Sequence, residues 1–271
     1  MNSTGVSLLT FNIGNPSPER AQRQLAWLAS REEQVLVLTE TKASVGCKFL
    51  ADAFTSAGYT VCFPEPGPGE YGAMIVTRVA AAPDPFNDAI GYLAARAATV
   101  VLPAPDGPLR VIGLYVPSRD ASLEKTERKR RWLACCETAL AHTAGQPTVL
   151  LGDLNILEPS HKPQYPFFAP FEYDFYRALA DTHGFIDAFR SLHPWANEYS
   201  WVGRTGDGYR YDHAFCSREL AGLVLSCQYV HQPRSDKLSD HSALTLQLDL
   251  AAPQELAVVD PTAADEPDTL F

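Results

Sequence analysis

The feature that most constrains this chain is an apolar run that stops at a charge. Residues 148–151 read Thr-Val-Leu-Leu, and the next four read Gly-Asp-Leu-Asn. A short apolar run bounded by turn formers has the signature of a strand buried on both faces, and such a strand needs layers packed on either side of its sheet. Asp153 and Asn155 follow two residues apart, so they project the same way while the chain stays extended. A carboxylate and an amide at the end of a core strand are costly to desolvate unpaired. They demand strong partners from elsewhere in the chain.

Similar runs recur along the sequence. Strands are predicted at 6–13, 34–40, 71–78, 96–103, 109–117, 147–155, 198–203, 209–217 and 241–250. Helices are predicted at 18–31, where Pro18 suits a first turn, at 122–142 behind a Ser122 cap, and at 172–181. The stretch "PAPDGP" at 103–108 is a turn between two strands and predicts an antiparallel hairpin. Strands mixed with a few helices define an α+β layered fold with sheets in the middle. The 271 residues suffice for one large domain with a sizeable core. We expect it to span 1–251, followed by a disordered acidic tail over 252–271.

Charge bears on the class of partner. The net charge of −10 argues against strong non-specific DNA binding. The tail, however, carries five acids and no Lys or Arg, and acids that hold a cation would have their charge offset. No run is long enough to span a membrane, and the N-terminus lacks the basic region of a signal peptide. The six cysteines show no C-x-x-C pair or framework spacing, which fits reduced thiols in a cytoplasmic protein.

Polar residues stand at the ends of the predicted strands. Asn12 closes the first, Glu40 the second and Tyr115 the fifth; Asp153 and Asn155 follow the central run. Asp212 lies within "YRYDHAF", and Asp240 with His241 opens the last strand. Each alone has an ordinary reading as a strand end, an Asx turn or a capping pair. Gathered at one sheet edge, carboxylates, amides, a phenol and an imidazole are the donor set for a hard divalent cation and a phosphate.

In order, "TFN", "TETK", "YGAMIVTR", "LYVP", "GDLN", "YRYD" and "SDHSAL" resemble the endonuclease/exonuclease/phosphatase superfamily, and within it the exonuclease III-type apurinic/apyrimidinic endonucleases. The blocks "DAFRSLHPWANEYSW" and "DGYRYDHAFCS" resemble that branch's C-terminal half. The likeness runs from about Leu8 to Leu248. It implies a four-layer α/β/β/α sandwich of two packed mixed sheets, with the active site at one sheet edge. It also implies a monomeric hydrolase of DNA phosphodiesters that uses Mg²⁺ or Mn²⁺, with abasic-site incision as its most specific form.

On that resemblance, Glu40 is the leading metal ligand, completed by Asp240 and Asn12. Asp153 positions and deprotonates the attacking water, and Asn155 orients it or donates to the phosphate. His241, held by Asp212, donates to a non-bridging oxygen, as does Tyr115 from another side. Asp153 and the Asp212–His241 pair both remain candidates for the base. Trp201 matches the aromatic wall of a pocket for a base-free sugar, with a core tryptophan as the alternative. Arg210 either contacts phosphate or pairs with a core acid.

Three departures weaken the abasic assignment. "TFNIGNPSPE" continues in a way similar to the inositol-phosphatase branch, Ser118 replaces a phosphate-holding Asn, and 158–179 has its own wording. They keep open a phosphatase or phosphodiesterase acting on a small phosphorylated metabolite or lipid headgroup. A catalytically silent binding relative is the third reading, opposed by the complete polar set. "ERKRRW" at 127–132 reads as a solvated helix face, and His183 and His193 read as structural. The final Leu270-Phe271 resembles the end of sliding-clamp-binding segments but lacks their Gln, so an unstructured end is the leading expectation there.

Overall fold

A computed structural model describes residues 5–143 and 145–263. In chain order the elements are β1 (Val6–Asn12), α1 (Pro18–Ala29), β2 (Val35–Thr41), α2 (Val45–Ser56), β3 (Thr60–Cys62), β4 (Gly72–Thr77), β5 (Ala82–Pro83), α3 (Phe86–Ile90), β6 (Ala97–Ala104) and β7 (Gly107–Tyr115). They continue with α4 (Leu123–Leu140), β8 (Thr148–Asp153), α5 (Pro170–Asp181), β9 (Phe185–Asp187), α6 (Ala188–Leu192), β10 (Trp201–Val202), β11 (Gly208–Tyr209), β12 (Asp212–Ser217), β13 (Val224–Val230), α7 (Gln232–Ser235) and β14 (Ala243–Leu248).

Two six-stranded sheets result, ordered β13-β14-β1-β2-β4-β3 and β5-β6-β7-β8-β12-β9. Each is mixed: β1 runs parallel to β2, and β7 to β8, while their other neighbours are antiparallel. Alternation along each strand explains the layers. Leu8, Val35, Val37 and Ile75 of the first sheet meet Val100, Val111, Val149 and Leu151 of the second in the central core. Their sequence neighbours point outward. Leu9, Phe11 and Leu38 pack under Leu25, Leu28, Leu50 and Phe54 of α1 and α2. Ile112, Leu150 and Phe215 pack under Trp132, Cys136, Phe175 and Leu179 of α4 and α5. Helices on both outer faces are why the strands read as continuous apolar runs, and the whole is the expected four-layer sandwich.

Local chemistry places the boundaries. Ser17 caps α1 through its hydroxyl, which accepts the Arg20 N–H, and Pro18 occupies the first turn. Pro105 and Asp106 turn the predicted β6–β7 hairpin. α2 was not among the predicted helices, because Val45 and Gly46 give its start little helical preference. The run predicted as one strand over 209–217 is broken, with β11 forming a two-stranded hairpin with β10 and β12 joining the second sheet. All six cysteines are free, and among the described residues no helix is long and apolar enough to cross a membrane.

The tail expected from residue 252 differs over its described part. The Ala80 N–H donates to the Gln254 carbonyl, that of Leu256 to Arg78, and that of Val259 to Ala57, at 2.8, 2.8 and 2.9 Å. Glu255 bridges Val79, and Val258 packs against the core under α1 and α2. Leu256 and Val258 lie among the acids, and the chain beyond β4 offers backbone groups with which Gln254 and Leu256 pair. Residues 264–271, including Leu270-Phe271, lie outside the described residues.

Gly152 is the tightest point in the second sheet. Its φ is +144°, and a Cβ there would sit 2.0 Å from the Leu114 carbonyl oxygen. Gly152→Ala is therefore expected to cost at least about 2 kcal/mol, read as a lowered urea midpoint at unchanged slope; a midpoint equal to that of the parent chain would remove the constraint.

Candidate active site

The topology brings the polar strand ends together. Asn12 ends β1 and Glu40 lies near the end of its parallel neighbour β2. Tyr115 ends β7 in register with Asp153, which ends the parallel β8. β12 runs antiparallel to β8, so its first residue, Asp212, also lies opposite Asp153. β14 runs antiparallel to β1 and pairs Leu244 with Thr10, which puts the preceding His241 beside the same edge.

A buried hydrogen bond from Asn12 Nδ2 to Asp153 Oδ2 at 2.8 Å ties the two sheets at this edge. The other Asp153 oxygen accepts the Asn155 backbone N–H at 2.8 Å, and Asn12 Oδ1 accepts the Gly14 N–H at 2.9 Å. These bonds are the partners that Asp153 required. His241 Nδ1 and Asp212 Oδ2 are 2.7 Å apart, and Tyr229 Oη donates to the Asp212 carbonyl at 2.6 Å. Ser200 Oγ accepts the Asp212 N–H at 3.0 Å. Ligand atoms of Asp153, Asp212 and His241 all lie within 4.8 Å of one another, close enough to hold a metal ion.

Burial sets the electrostatics. It raises the Asp153 carboxyl, and the charge of Asp212 raises it further, against the opposing pull of His241 and the Asn155 N–H. Burial also raises Glu40, while Asn12 and His241 lower it. For His241 burial works toward the neutral ring, but the charge and hydrogen bond of Asp212 prevail and push the imidazole up to about 10. The Tyr115 phenol is held well above its ordinary value by burial and by Glu40 and Asp153, so it stays a donor. One buried oxygen, Asp212 Oδ1, has no hydrogen-bond partner. An excess of oxygen donors around one imidazolium, with an orphaned carboxylate oxygen, fits a hard divalent cation.

Other predicted residues divide. Asn155 has left the strand at φ +49°, so its backbone orients Asp153 while its side-chain Nδ2 donates to the Val116 carbonyl at 3.1 Å. Asp240 is exposed and accepts the Trp201 indole N–H at 2.8 Å. Trp201 is half-buried, bridges His241 and packs its ring against Tyr209 and Tyr211, so it is not a core tryptophan. Ser118 is exposed just past β7. For Arg210 the phosphate contact is corrected and the core pairing holds: it is 0% exposed, its guanidinium bound by Glu158 at 2.9 Å, by Asp187 and by Tyr176. A cation fully enclosed by its counter-ions cannot reach a substrate phosphate.

The basic run 127–132 is also corrected in part. Lys129 is buried, and its Nζ donates to the Asn155 carbonyl and to Glu172 Oε1, both at 2.7 Å. Burial alone would raise Glu172, but Lys129 and Arg119 hold it below its ordinary value. This triad braces the turn that aims Asp153, and sequence reasoning missed it. Its signal was a helix whose apolar stripe, Trp132, Leu133 and Cys136, puts Lys129 on the inward face.

A model of the Endonuclease/Exonuclease/phosphatase family matches residues 9–241, and the chain belongs to that family. No individual curated protein matches the sequence. Among solved structures, an AP endonuclease from Archaeoglobus fulgidus is 24% identical, with TM-score 0.75, over 90% of this chain and 100% of that one. The 3′-5′ exonuclease NExo of Neisseria meningitidis is 25% identical, with TM-score 0.74 and the same two coverages. A Neisseria 3′ phosphatase NExo bound to a product DNA hairpin is 23% identical, with TM-score 0.75, over 90% of this chain and 99% of that one.

The Arg210 network predicts acid sensitivity. Burial alone would raise Glu158, but hydrogen bonds from Arg190 and the charge of Arg210 hold it at about 2, and Asp187 is lowered far below its ordinary value against its own burial, chiefly by Arg210. Carboxyls depressed in the folded state stabilise it above their unfolded values, near 4, and lose that contribution as pH falls through the folded values. Urea unfolding should show a loss of roughly 2 kcal/mol between about pH 4.5 and 2 that Glu158→Gln reduces, the full shift being discounted for the open cavity beside Glu158. Parallel pH profiles for the two chains would contradict the assignment.

Proposed function

We propose that this chain is a divalent-metal-dependent phosphodiesterase acting on DNA, incising at abasic sites or processing 3′ ends. The observation that carries the reading is the half-buried Trp201 beside His241. It sets a flat apolar wall next to the hydrolytic groups, suited to a deoxyribose that lacks its base. The AP endonuclease, exonuclease and DNA-bound phosphatase among the solved relatives support it.

Glu40 would hold the cation with Asn12 and Asp240, and Asp212 would offer its unpartnered Oδ1, since only its Oδ2 engages His241 at 2.7 Å. When bound, Mg²⁺ or Mn²⁺ supplies charge neutralisation at the phosphate and at the departing oxygen. Asp153, made more basic by burial, takes a proton from the attacking water as the new P–O bond forms. The bond to the deoxyribose oxygen breaks, and that oxygen is protonated from solvent. His241, fixed through Nδ1 by Asp212, keeps Nε2 to donate to a non-bridging oxygen as charge builds. The Tyr115 hydroxyl donates from the β7 side.

A second reading, a phosphatase of small phosphorylated metabolites or lipid headgroups, is favoured by the net charge of −10 and by Ser118 in place of an amide. A panel of abasic duplex, 3′-phosphate duplex, plain single strand and inositol phosphates, with Mg²⁺ and with chelator, separates the two. Chelator-sensitive incision or end release on DNA is expected; phosphate release from the inositol substrates alone would reverse the assignment. Asp153→Asn and His241→Ala should each lower turnover roughly a hundredfold or more while the chain stays folded by circular dichroism. A near-normal rate in either would take that residue out of the mechanism.

A further inference from the structure

A cavity of about 400 Å³ lies beside this site and takes no part in the mechanism; its walls include His161, Lys162, Trp195, Tyr199 and the paired acids Glu158 and Glu198. The volume is that of a small-molecule pocket. His161 is 7% exposed, and its Nε2 has no hydrogen-bond partner, a costly state that a ligand's polar edge would relieve. Trp195, at the rim, is 93% exposed, although a large apolar ring in open water gains nothing for the fold. The acids in the wall already have partners: Glu158 pairs with Arg190 and Arg210, and Glu198 lies 3.0 Å from His231 Nε2. The exposed Lys162 sets a cation at the mouth.

The cavity is joined to the hydrolytic groups by stacked rings. His161 lies parallel to Tyr209 at 6.1 Å and 9°, and Tyr209 to Tyr211 at 5.3 Å and 15°. Tyr211 immediately precedes Asp212, and Tyr209 also contacts Trp201 at 5.3 Å. Two ring steps correspond to about three nucleotides of strand at a rise of ~3.4 Å.

We propose that this cavity is a nucleobase subsite. It receives one base, turned out of the stack, from the strand whose phosphate is hydrolysed at Asp153 and His241. The ring lies against Trp195 and Tyr199, His161 Nε2 meets its polar edge, and Lys162 faces the adjoining phosphate. The inference rests on the DNA reading and adds to it a nucleotide-scale contact away from the cleaved bond.

The test scans one missing base along the strand. Duplex 20-mers carry an abasic analogue at the cleavage position and a second base-free residue at each of four positions on either side. Affinity is measured for the full chain in chelator, and kcat/KM in Mg²⁺. Loss of one particular base should weaken binding about tenfold or more, whereas in Trp195→Ala and His161→Gln the profile should be flat at the weaker level. Trp195→Ala changes an exposed side chain, so an unchanged urea midpoint separates loss of contact from loss of fold. A flat profile in a parent chain that does cleave DNA overturns the subsite alone. A parent chain that neither binds nor cleaves any oligonucleotide overturns the DNA reading and the subsite with it.

Discussion

The hydrogen bond from Asn12 to Asp153 joins side chains 141 residues apart and belongs to both sheets at once. The rest of the site hangs on it. It fixes how far β1 and β8 can slide past one another, and so where Glu40 stands relative to Tyr115. Because it is buried, breaking it from one side would leave an unpaired donor or carboxylate in the core, where the desolvation penalty is largest. The outer helices press the sheets together, but this amide–carboxylate contact sets the register of their working ends.

Two aspartates of one ladder pair are then given different jobs by their neighbours. Asp212 is bound to an imidazole that it keeps protonated. Asp153 accepts only neutral N–H donors and is made basic by its surroundings. Two like groups in one ladder pair are thus set in different environments, one on an imidazolium and one on amide N–H groups. Parallel pairing in each sheet makes this possible, since the C-terminal ends of β1 and β2, and of β7 and β8, face the same way.

Much of this was legible in the chain. Buried strands with polar stops, the "PAPDGP" turn and the spacing of Asp153 and Asn155 are local signals, and the structure reproduces them. Lys129 was misread, and Arg210 left between two readings, for one physical reason. A cation's surroundings depend on tertiary neighbours such as Glu158, Asp187 and Glu172, which lie tens of residues away. "YRYD" says that Arg210 adjoins the site, not that its guanidinium points into the core. Four consecutive basic residues on a helix must spread around it, and only the packing of α4 on the second sheet decides which one turns inward. The loop from Glu158 onward, with its stacked histidine and tyrosines, has no periodicity to read.

Composition and hydrogen bonding draw the end of the folded body in different places. The Pro-, Ala- and acid-rich wording suggests that anything after Leu250 could be cut away. Yet Gln254, Glu255, Leu256 and Val259 are laced to Arg78, Val79, Ala80 and Ala57. A fragment trimmed at the compositional border would strip a seam from the flank of the first sheet, exposing carbonyls of Arg78 and Ala57 that the intact chain keeps covered.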